Sequence, residues 1–393
     1  MRADKQKQEA QKTRGDSETQ SRNFHDVGSI DQVGLGESKV FSIKGQGKSQ
    51  VEIAVFNLNG KFYAVSNICV HKGGPINKGT IDGSIVTCPW HGWKYSVKNG
   101  KSPHKGGDNI NSYPVRISQG RIFLSGIPKS RGKRISEPHK RYQLLDRAVK
   151  RHIISTTRLK PSPLRRKLRV LGISATNMND QKTPRSSTSE AALEFALDFA
   201  KRKYKADTVM IKLRQLNFRH CEGYYSKNAN ACIFPCSISE MDVKDQMIEI
   251  YDKVIVWADV VIVATPIRWG NASSLYYQMV QRLNCVQNQI ITHDNYLIRD
   301  KVGAFIITGG QDNVQHVAGE LLSFWSQLGF IFGKFPFVGW SRGWYAEDTE
   351  NNVETNAKSS AFETDIERMV SGAMEISNLI NENKYDERVL AKS

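Results

Sequence analysis

The feature that most constrains this chain is the run Cys69-Val70-His71, followed after sixteen residues by Cys88-Pro89-Trp90-His91. Thiolate and imidazole are the side-chain ligands suited to iron, zinc and copper. Two short Cys/His pairs on two loops can clamp one small metal centre, each loop giving one Cys and one His. Glycines follow both pairs: Gly73-Gly74-Pro75 after the first and Gly92 after the second. A zinc site and unrelated surface residues are the alternatives. Zinc favours C-x2–4-C and H-x3–5-H blocks, and this motif contains neither.

The surrounding sequence reads as short strands and turns. Val51–Phe56 and Lys61–Val65 flank Asn59-Gly60, a hairpin signal. Ser112–Ile117 and Arg121–Leu124 flank Gln119-Gly120, while Asp82-Gly83 and Asn99-Gly100 bracket the second Cys/His pair. This spacing predicts a small antiparallel β domain over residues 26–127. In that setting the C-x-H-x16-C-x2-H motif resembles the Rieske ferredoxin family. The resemblance implies a 2Fe–2S cluster with Cys69 and Cys88 on one iron and His71 and His91 on the other.

Two departures from the high-potential respiratory type are readable. That type carries an extra Cys in each loop; here Trp90 takes the place in the second loop, and no cysteine lies between Cys69 and Cys88. Its Ser hydroxyl is replaced by Trp93, while Tyr95 keeps the Tyr position. Fewer hydrogen bonds to sulfur stabilise the reduced cluster less, so the expected potential is low, roughly −150 mV.

From Leu168 the pattern changes to alternating strands and helices. Leu168–Ser174, Val209–Leu213, Val260–Ala264, Val302–Thr308 and Phe335–Val338 read as strands. Ser189–Tyr204, Val243–Trp257, Ser273–Val286, Val314–Leu328 and Ala361–Ile380 read as helices. Apolar strands between helices predict a parallel, doubly wound α/β sheet. The first strand enters a hydroxyl-rich loop and then a helix, which is either a phosphate cradle or an ordinary N-capped helix. It has neither G-x-G-x-x-G nor a Walker lysine, which excludes a dinucleotide Rossmann site and a P-loop.

Two further loops, Thr265-Pro266-Ile267-Arg268-Trp269-Gly270-Asn271 and Thr308-Gly309-Gly310-Gln311-Asp312, leave the carboxyl ends of strands, where open α/β sheets bind ligands. The first is similar to the flavin loop of NADPH-dependent FMN reductases, iron–sulfur flavoproteins and related flavodoxin-like quinone reductases. The resemblance covers about residues 168–380 and implies a flavodoxin-like, five-stranded FMN domain. It offers Ser174, Thr176, Ser187, Thr188 and Ser189 for the phosphate. Pro266, Ile267, Arg268, Trp269, Gly270 and Asn271 match the ring-facing loop, and Gly309, Gly310 and Gln311 match the third. The first loop departs from the family in its length, with Asn177–Thr183 resembling an insertion. The family also implies NAD(P)H as donor and a dimer or tetramer.

Iron–sulfur flavoproteins carry a compact four-cysteine cluster after the second strand. Here Cys221 is followed at that spacing by Tyr224 and Lys227, so a 4Fe–4S site lacks ligands. Cys221, Cys232 and Cys236 therefore read as free thiols, with a disulfide, a redox thiol or a metal shared across a dimer left open. Cys285 falls in a helix and reads as structural.

The net charge of +17 is uneven: residues 128–169 hold fifteen Lys or Arg against two acidic residues, +13 of the total. This is expected of a basic linker, 128–167, between a Rieske domain (26–127) and an FMN domain (168–385), after a disordered tail at 1–25. No aromatic platform or groove-reading motif accompanies the charge, so specific nucleic-acid binding is not expected. No apolar run approaches ~18 residues, so no transmembrane segment is expected, and the N-terminus lacks a secretory pattern, which points to the cytoplasm.

The expected function is electron transfer between FMN, reduced by NAD(P)H, and the cluster, with an unidentified acceptor and no catalytic acid or base. A non-enzymatic carrier to an oxygenase or reductase, or a quinone reductase with the Rieske domain as accessory, are the alternatives.

Overall fold

The computed structural model describes residues 24–44, 50–104, 109–126, 140–157, 167–178, 186–226, 229–309, 313–342 and 359–382. Residues 1–23 of the expected tail, most of the phosphate-loop insertion and the two ends of the basic segment lie outside these residues, while His25 already begins a strand. So do Gly310 and Gln311. The chain divides into two units, Met1–Glu137 and Pro138–Ser393.

The first unit is antiparallel throughout. Strands β1 (His25–Ser29), β2 (Ser38–Lys44), β3 (Gln50–Leu58), β4 (Lys61–Ser66), β5 (Thr80–Asp82), β6 (Ile85–Thr87), β7 (Lys94–Ser96), β8 (Ser112–Tyr113), β9 (Val115–Ser118) and β10 (Arg121–Leu124) follow in order. They form three sheets, β1-β10-β9, β2-β3-β4-β8 and β5-β6-β7. The β3–β4 turn places Asn59 and Gly60 at φ 51 and 78, and Leu58 pairs with Lys61. Two consecutive left-handed residues are what a two-residue hairpin requires, and Asn-Gly meets that demand with least strain. Val51, Ile53, Val55, Ala64, Tyr113, Ile122 and Leu124 alternate inward to make the core.

The second unit holds β11 (Arg169–Ser174), β12 (Asp207–Lys212), β13 (Val260–Pro266), β14 (Val302–Gly309) and β15 (Ile331–Ser341) in the order β12-β11-β13-β14-β15. All four pairings are parallel, and this is the flavodoxin-like strand order. Every residue of β13 is buried, as both faces of a parallel sheet are covered. The helices are α1 (Lys140–Thr157), α2 (Thr188–Tyr204), α3 (Ser237–Met241), α4 (Met247–Tyr251), α5 (Ser274–His293), α6 (Val314–Gln327) and α7 (Ser360–Asn381). α2 and α7 cover one face, with Leu193, Leu197, Ile366 and Met374 against Val260 and Ile306. α1, α5 and α6 cover the other.

Two elements differ from the sequence expectation. The helix expected at Val243–Trp257 begins at Met247 and continues as a π-helix over Asp252–Trp257. Its first residues turn instead, because the Asp242 side chain accepts from Lys244 N (3.0 Å) and Asp245 is drawn to a buried Arg282. The last strand is longer than Phe335–Val338, with an irregular register where Gly303 and Phe305 meet Phe332 and Phe337.

Within the segment read as a linker, α1 packs on the second unit. Tyr142, Leu145 and Val149 lie one helical turn apart and are buried in the sheet's core. The Tyr142 hydroxyl donates to Pro235 O at 3.2 Å, and Arg141 pairs with Glu249 at 2.8 Å. Among the described residues no helix is long and apolar enough to cross a membrane.

Candidate cofactor sites

In the first unit the Cys/His pairs sit on two loops with the same internal hydrogen bonding. Gly73 N donates to Cys69 O (2.8 Å) and Cys69 N to Gly74 O (2.9 Å). Likewise Gly92 N donates to Cys88 O (3.1 Å) and Cys88 N to Trp93 O (2.7 Å). Each loop closes on a residue four beyond its Cys, at φ 79 for Gly73 and 73 for Gly92. A side chain is strained there, which explains a glycine at both positions. Gly74 serves differently: a Cβ on it would lie 2.8 Å from Cys88 Sγ and 3.0 Å from the Trp90 ring. The two loops can approach only because that position is bare.

The result gathers like with like. Cys69 and Cys88 are buried, with their thiols in hydrogen-bond contact. The His71 and His91 rings meet edge to face at 4.7 Å. Trp93, fully buried, stacks on His71 at 5.0 Å and 9° and fixes its plane. Tyr95 OH lies 3.1 Å from Cys69 Sγ. His71 is buried and His91 partly exposed.

The Cys88 neighbour and burial push the Cys69 thiol up, while the Cys69 hydrogen bond draws Cys88 down to about 7. Burial, then the neighbouring His71 and Lys72, lower His91 to about 4. Its imidazole is therefore neutral at ordinary pH, the form that binds a metal. Among the described residues no three His, Cys, Asp or Glu converge as a single ion would need. Two thiols beside two imidazoles fit a centre of two irons with two protein ligands each.

In the second unit the expected flavin residues gather at the carboxyl ends of β11, β13 and β14. Ser174 and Thr176 are buried, as are Ser187 and Ser189 at the start of α2, with Thr188 partly exposed between them. Ser187 caps the helix without a side-chain hydrogen bond; its hydroxyl meets that of Ser189 at 3.1 Å. The first turn of α2 is thus left without a side-chain cap from Ser187. The first loop is tied to the flavin-like loop through Ser273, whose hydroxyl donates to Ala175 O, and through Asn177 Nδ2 to Ser274 Oγ (3.1 Å).

Arg268 and Asn271 close a tight turn by paired backbone bonds of 2.7 and 3.0 Å, with Trp269 and Gly270 left-handed at its tip. Asn271 Nδ2 donates to Trp269 O (3.1 Å), and Asn313 Nδ2 to Gly270 O. The Trp269 side chain is 96% exposed. Burial lowers the Arg268 guanidinium from its usual value. Pro266 and Ile267 are buried beneath, and Ile267 N donates to Thr308 O (2.7 Å), which joins this loop to the one after β14 at Gly309.

Sequence reasoning missed a buried ion cluster beside this edge. Ser187 and Glu190 have capping-box spacing, which would turn Glu190 back on its own helix. Instead Glu190 accepts from Ser174 Oγ (2.6 Å), Lys212 Nζ (2.7 Å) and both ends of the Arg214 guanidinium. The hydroxyl expected to face a phosphate is thereby already engaged. Burial pushes Glu190 up, but the hydrogen bonds from Arg214, Lys212 and Ser174 outweigh it and hold the acid at about 2.

Its unfolded value is near 4.5. A carboxylate depressed on folding stabilises fully above the unfolded value and loses that contribution as pH falls through the folded one. Glu190→Gln is expected to cost about 3 kcal/mol at neutral pH, with the difference from wild type shrinking between about pH 4.5 and 2. Urea unfolding at a series of pH values checks both.

Comparison with known proteins adds the following. Residues 23–114 match the family model of the Rieske [2Fe-2S] domain, and residues 168–344 match that of NADPH-dependent FMN reductase. The chain is 31% identical over 107 residues to the ferredoxin component of naphthalene 1,2-dioxygenase/salicylate 5-hydroxylase systems from Ralstonia sp, which spans 26% of this chain and 96% of that protein. It is 36% identical over 76 residues to the 3-phenylpropionate/cinnamic acid dioxygenase ferredoxin subunit of Shigella flexneri, 18% of this chain and 70% of that one. Among solved structures, RosB with a bound 8-demethyl-8-formylriboflavin-5'-phosphate aligns with a TM-score of 0.44 at 16% identity, covering 57% of this chain and 85% of that one.

Proposed function

Because the chain belongs to the Rieske [2Fe–2S] family through residues 23–114 and carries an NADPH-dependent FMN reductase domain at 168–344, we propose that it is an oxidoreductase passing electrons from NAD(P)H through FMN to its own kind of 2Fe–2S cluster. The two domains imply all three cofactors. The observation that carries the proposal is the paired donor set, two thiols and two imidazoles, in a chain whose other unit is a flavin-reductase sheet. When bound, FMN takes up an electron pair and the cluster carries single electrons, so the two together split a hydride donor's pair.

The chain's residues hold and shield. Cys69 and Cys88 would hold one iron, and His71 and His91 the other. Trp93 stacks on the buried His71 and fixes its plane, while His91 is partly exposed and would be the ligand nearer solvent. Thr176, Ser187, Thr188 and Ser189 bind the FMN phosphate with uncharged donors and the start of α2. Ser174 supports that cradle from beneath through Glu190. The backbone from Pro266 to Asn271 and Gly309 would face the ring. Tyr95 donates to Cys69 and favours extra negative charge on that sulfur. Tyr95→Phe is expected to lower the cluster potential by about 40 mV, the equivalent of ~1 kcal/mol for one electron, in a redox titration.

The test is rapid mixing of the protein with NADH and with NADPH. Flavin bleaching followed by cluster reduction is expected. Cluster reduction without bleaching, or neither, would remove the reading. The names of the matched relatives favour one class of acceptor, the terminal oxygenase of a dioxygenase system. In that second reading the chain is a carrier, and adding such an oxygenase to the reduced protein reoxidises the cluster before the flavin.

A further inference from the structure

The cysteines outside the cluster are not scattered. Cys285, on α5, and Cys236, just before α3, bring their thiols close enough to interact although 49 positions separate them. Cys285 is fully packed, and its sulfur also reaches Tyr251 OH (3.4 Å) and Arg282 O (3.3 Å). Cys236 is partly exposed. Cys232 lies near enough to interact with both, its sulfur accepting from Asn284 Nδ2 at 3.6 Å, and Cys221 accepts from Gly223 N at 3.4 Å.

Beneath the pair sits Arg282, with no exposed side-chain surface. It donates to Asp245 (2.6 and 3.2 Å), Ser239 Oγ (2.8 Å) and Arg219 O (2.8 Å). Its Nε–H is buried and meets no acceptor among the described residues. A buried cation with a donor to spare favours an anion nearby.

We propose that Cys236 and Cys285 are a dithiol–disulfide pair, in which Cys236 reacts first with a hydroperoxide and Cys285 resolves it. Two features set this order. Cys236 is the more exposed residue of the pair, whereas Cys285 is buried. The Cys285 hydrogen bond, then the Arg282 charge and the Ile238 backbone N–H, overcome burial and hold Cys236 below the usual thiol value, while burial pushes Cys285 up.

The Cys236 sulfur attacks the O–O bond. An S–O bond forms, the O–O bond breaks, and the departing oxygen takes a proton and leaves as water or an alcohol. The Cys285 sulfur then displaces the hydroxyl from Cys236; the S–S bond forms, the S–O bond breaks, and water leaves with the Cys285 proton. Two thiols and one hydroperoxide give a disulfide, one alcohol or water, and one further water. An added dithiol reverses the change by exchange. The preceding residue, Pro235, is the one whose carbonyl anchors Tyr142 of α1, so the pair lies against that basic helix.

The experiment treats the full-length protein, with both cofactors, with hydrogen peroxide and maps its peptides without reduction. A Cys236–Cys285 linked peptide is expected, two hydrogens lighter than its parts, with alkylation of both thiols lost together and restored by dithiothreitol. In Cys285→Ser, Cys236 is expected to stop at a sulfenic acid that dimedone traps. In Cys236→Ser, oxidation of Cys285 is expected to slow by roughly ten-fold or more. The proposal is overturned if both thiols stay alkylatable at peroxide levels that have already oxidised Cys69 and Cys88, or if Cys236 links to Cys221 or Cys232. It also falls if Cys285 in Cys236→Ser oxidises at the wild-type rate.

Discussion

Cys88→Ser is expected to strip the protein of its 2Fe–2S absorption and electron paramagnetic signal while leaving FMN, and its bleaching by NAD(P)H, in place. A thiolate is the ligand iron requires here, and a serine hydroxyl does not ionise near neutral pH. The loop itself should survive, because its two closing bonds, Cys88 N to Trp93 O and Gly92 N to Cys88 O, use only backbone atoms. The flavin-side unit should be untouched, since its two hydrophobic cores draw only on residues from Tyr142 onward. Transfer of electrons from NAD(P)H to a one-electron acceptor protein is expected to fall by roughly 100-fold or more, with NAD(P)H still consumed by direct flavin oxidants. Visible spectra and iron content of the purified variant check the first claim, and paired turnover assays check the second. Retained cluster absorption would show that Cys88 is not a ligand.

What could be read from the sequence depended on distance along the chain. The two Cys/His loops were legible because each carries its Cys, its His and its closing glycine within five residues, so chemistry and geometry share one short motif. The parallel sheet was legible from strands such as Val260–Pro266, apolar on both faces because both faces are buried. The Glu190 cluster was not, because its partners come from β12 and the residues just after it, and the local Ser187-to-Glu190 spacing argues for a different bond. Likewise Cys236 and Cys285 meet only after α5 packs beside the turn before α3. The early start expected for the Met247 helix failed for the same reason: Asp245 answers to Arg282, 37 positions on, rather than to its neighbours.

The second large effect is expected at Gly309. A Cβ there would lie 2.8 Å from Ile267 Cβ and 3.1 Å from two further atoms of that side chain, at a position that is not left-handed, so the cost is one of contact rather than backbone strain. Ile267 is buried and bonded through its N–H to Thr308 O, so it cannot swing aside alone. Gly309→Val must therefore lift the loop from Pro266 to Asn271, and with it the turn that Asn313 holds at Gly270. Overpacking of this kind costs about 1–3 kcal/mol in stability, which the sheet can absorb. FMN binding should suffer more, because backbone donors displaced by about 1 Å no longer meet the ring. The FMN dissociation constant is expected to rise by about 100-fold, equivalent to ~2.7 kcal/mol, with cluster absorption unchanged. Fluorescence titration of the apoprotein with FMN measures it, and a rise of less than about three-fold would show that this loop does not hold the flavin. Set beside Cys88→Ser, the variant keeps the cofactor that the other loses. If electrons pass from flavin to cluster, both variants must fail to reduce the one-electron acceptor, and for opposite reasons: one accepts from NAD(P)H and cannot deliver, while the other could deliver and cannot accept.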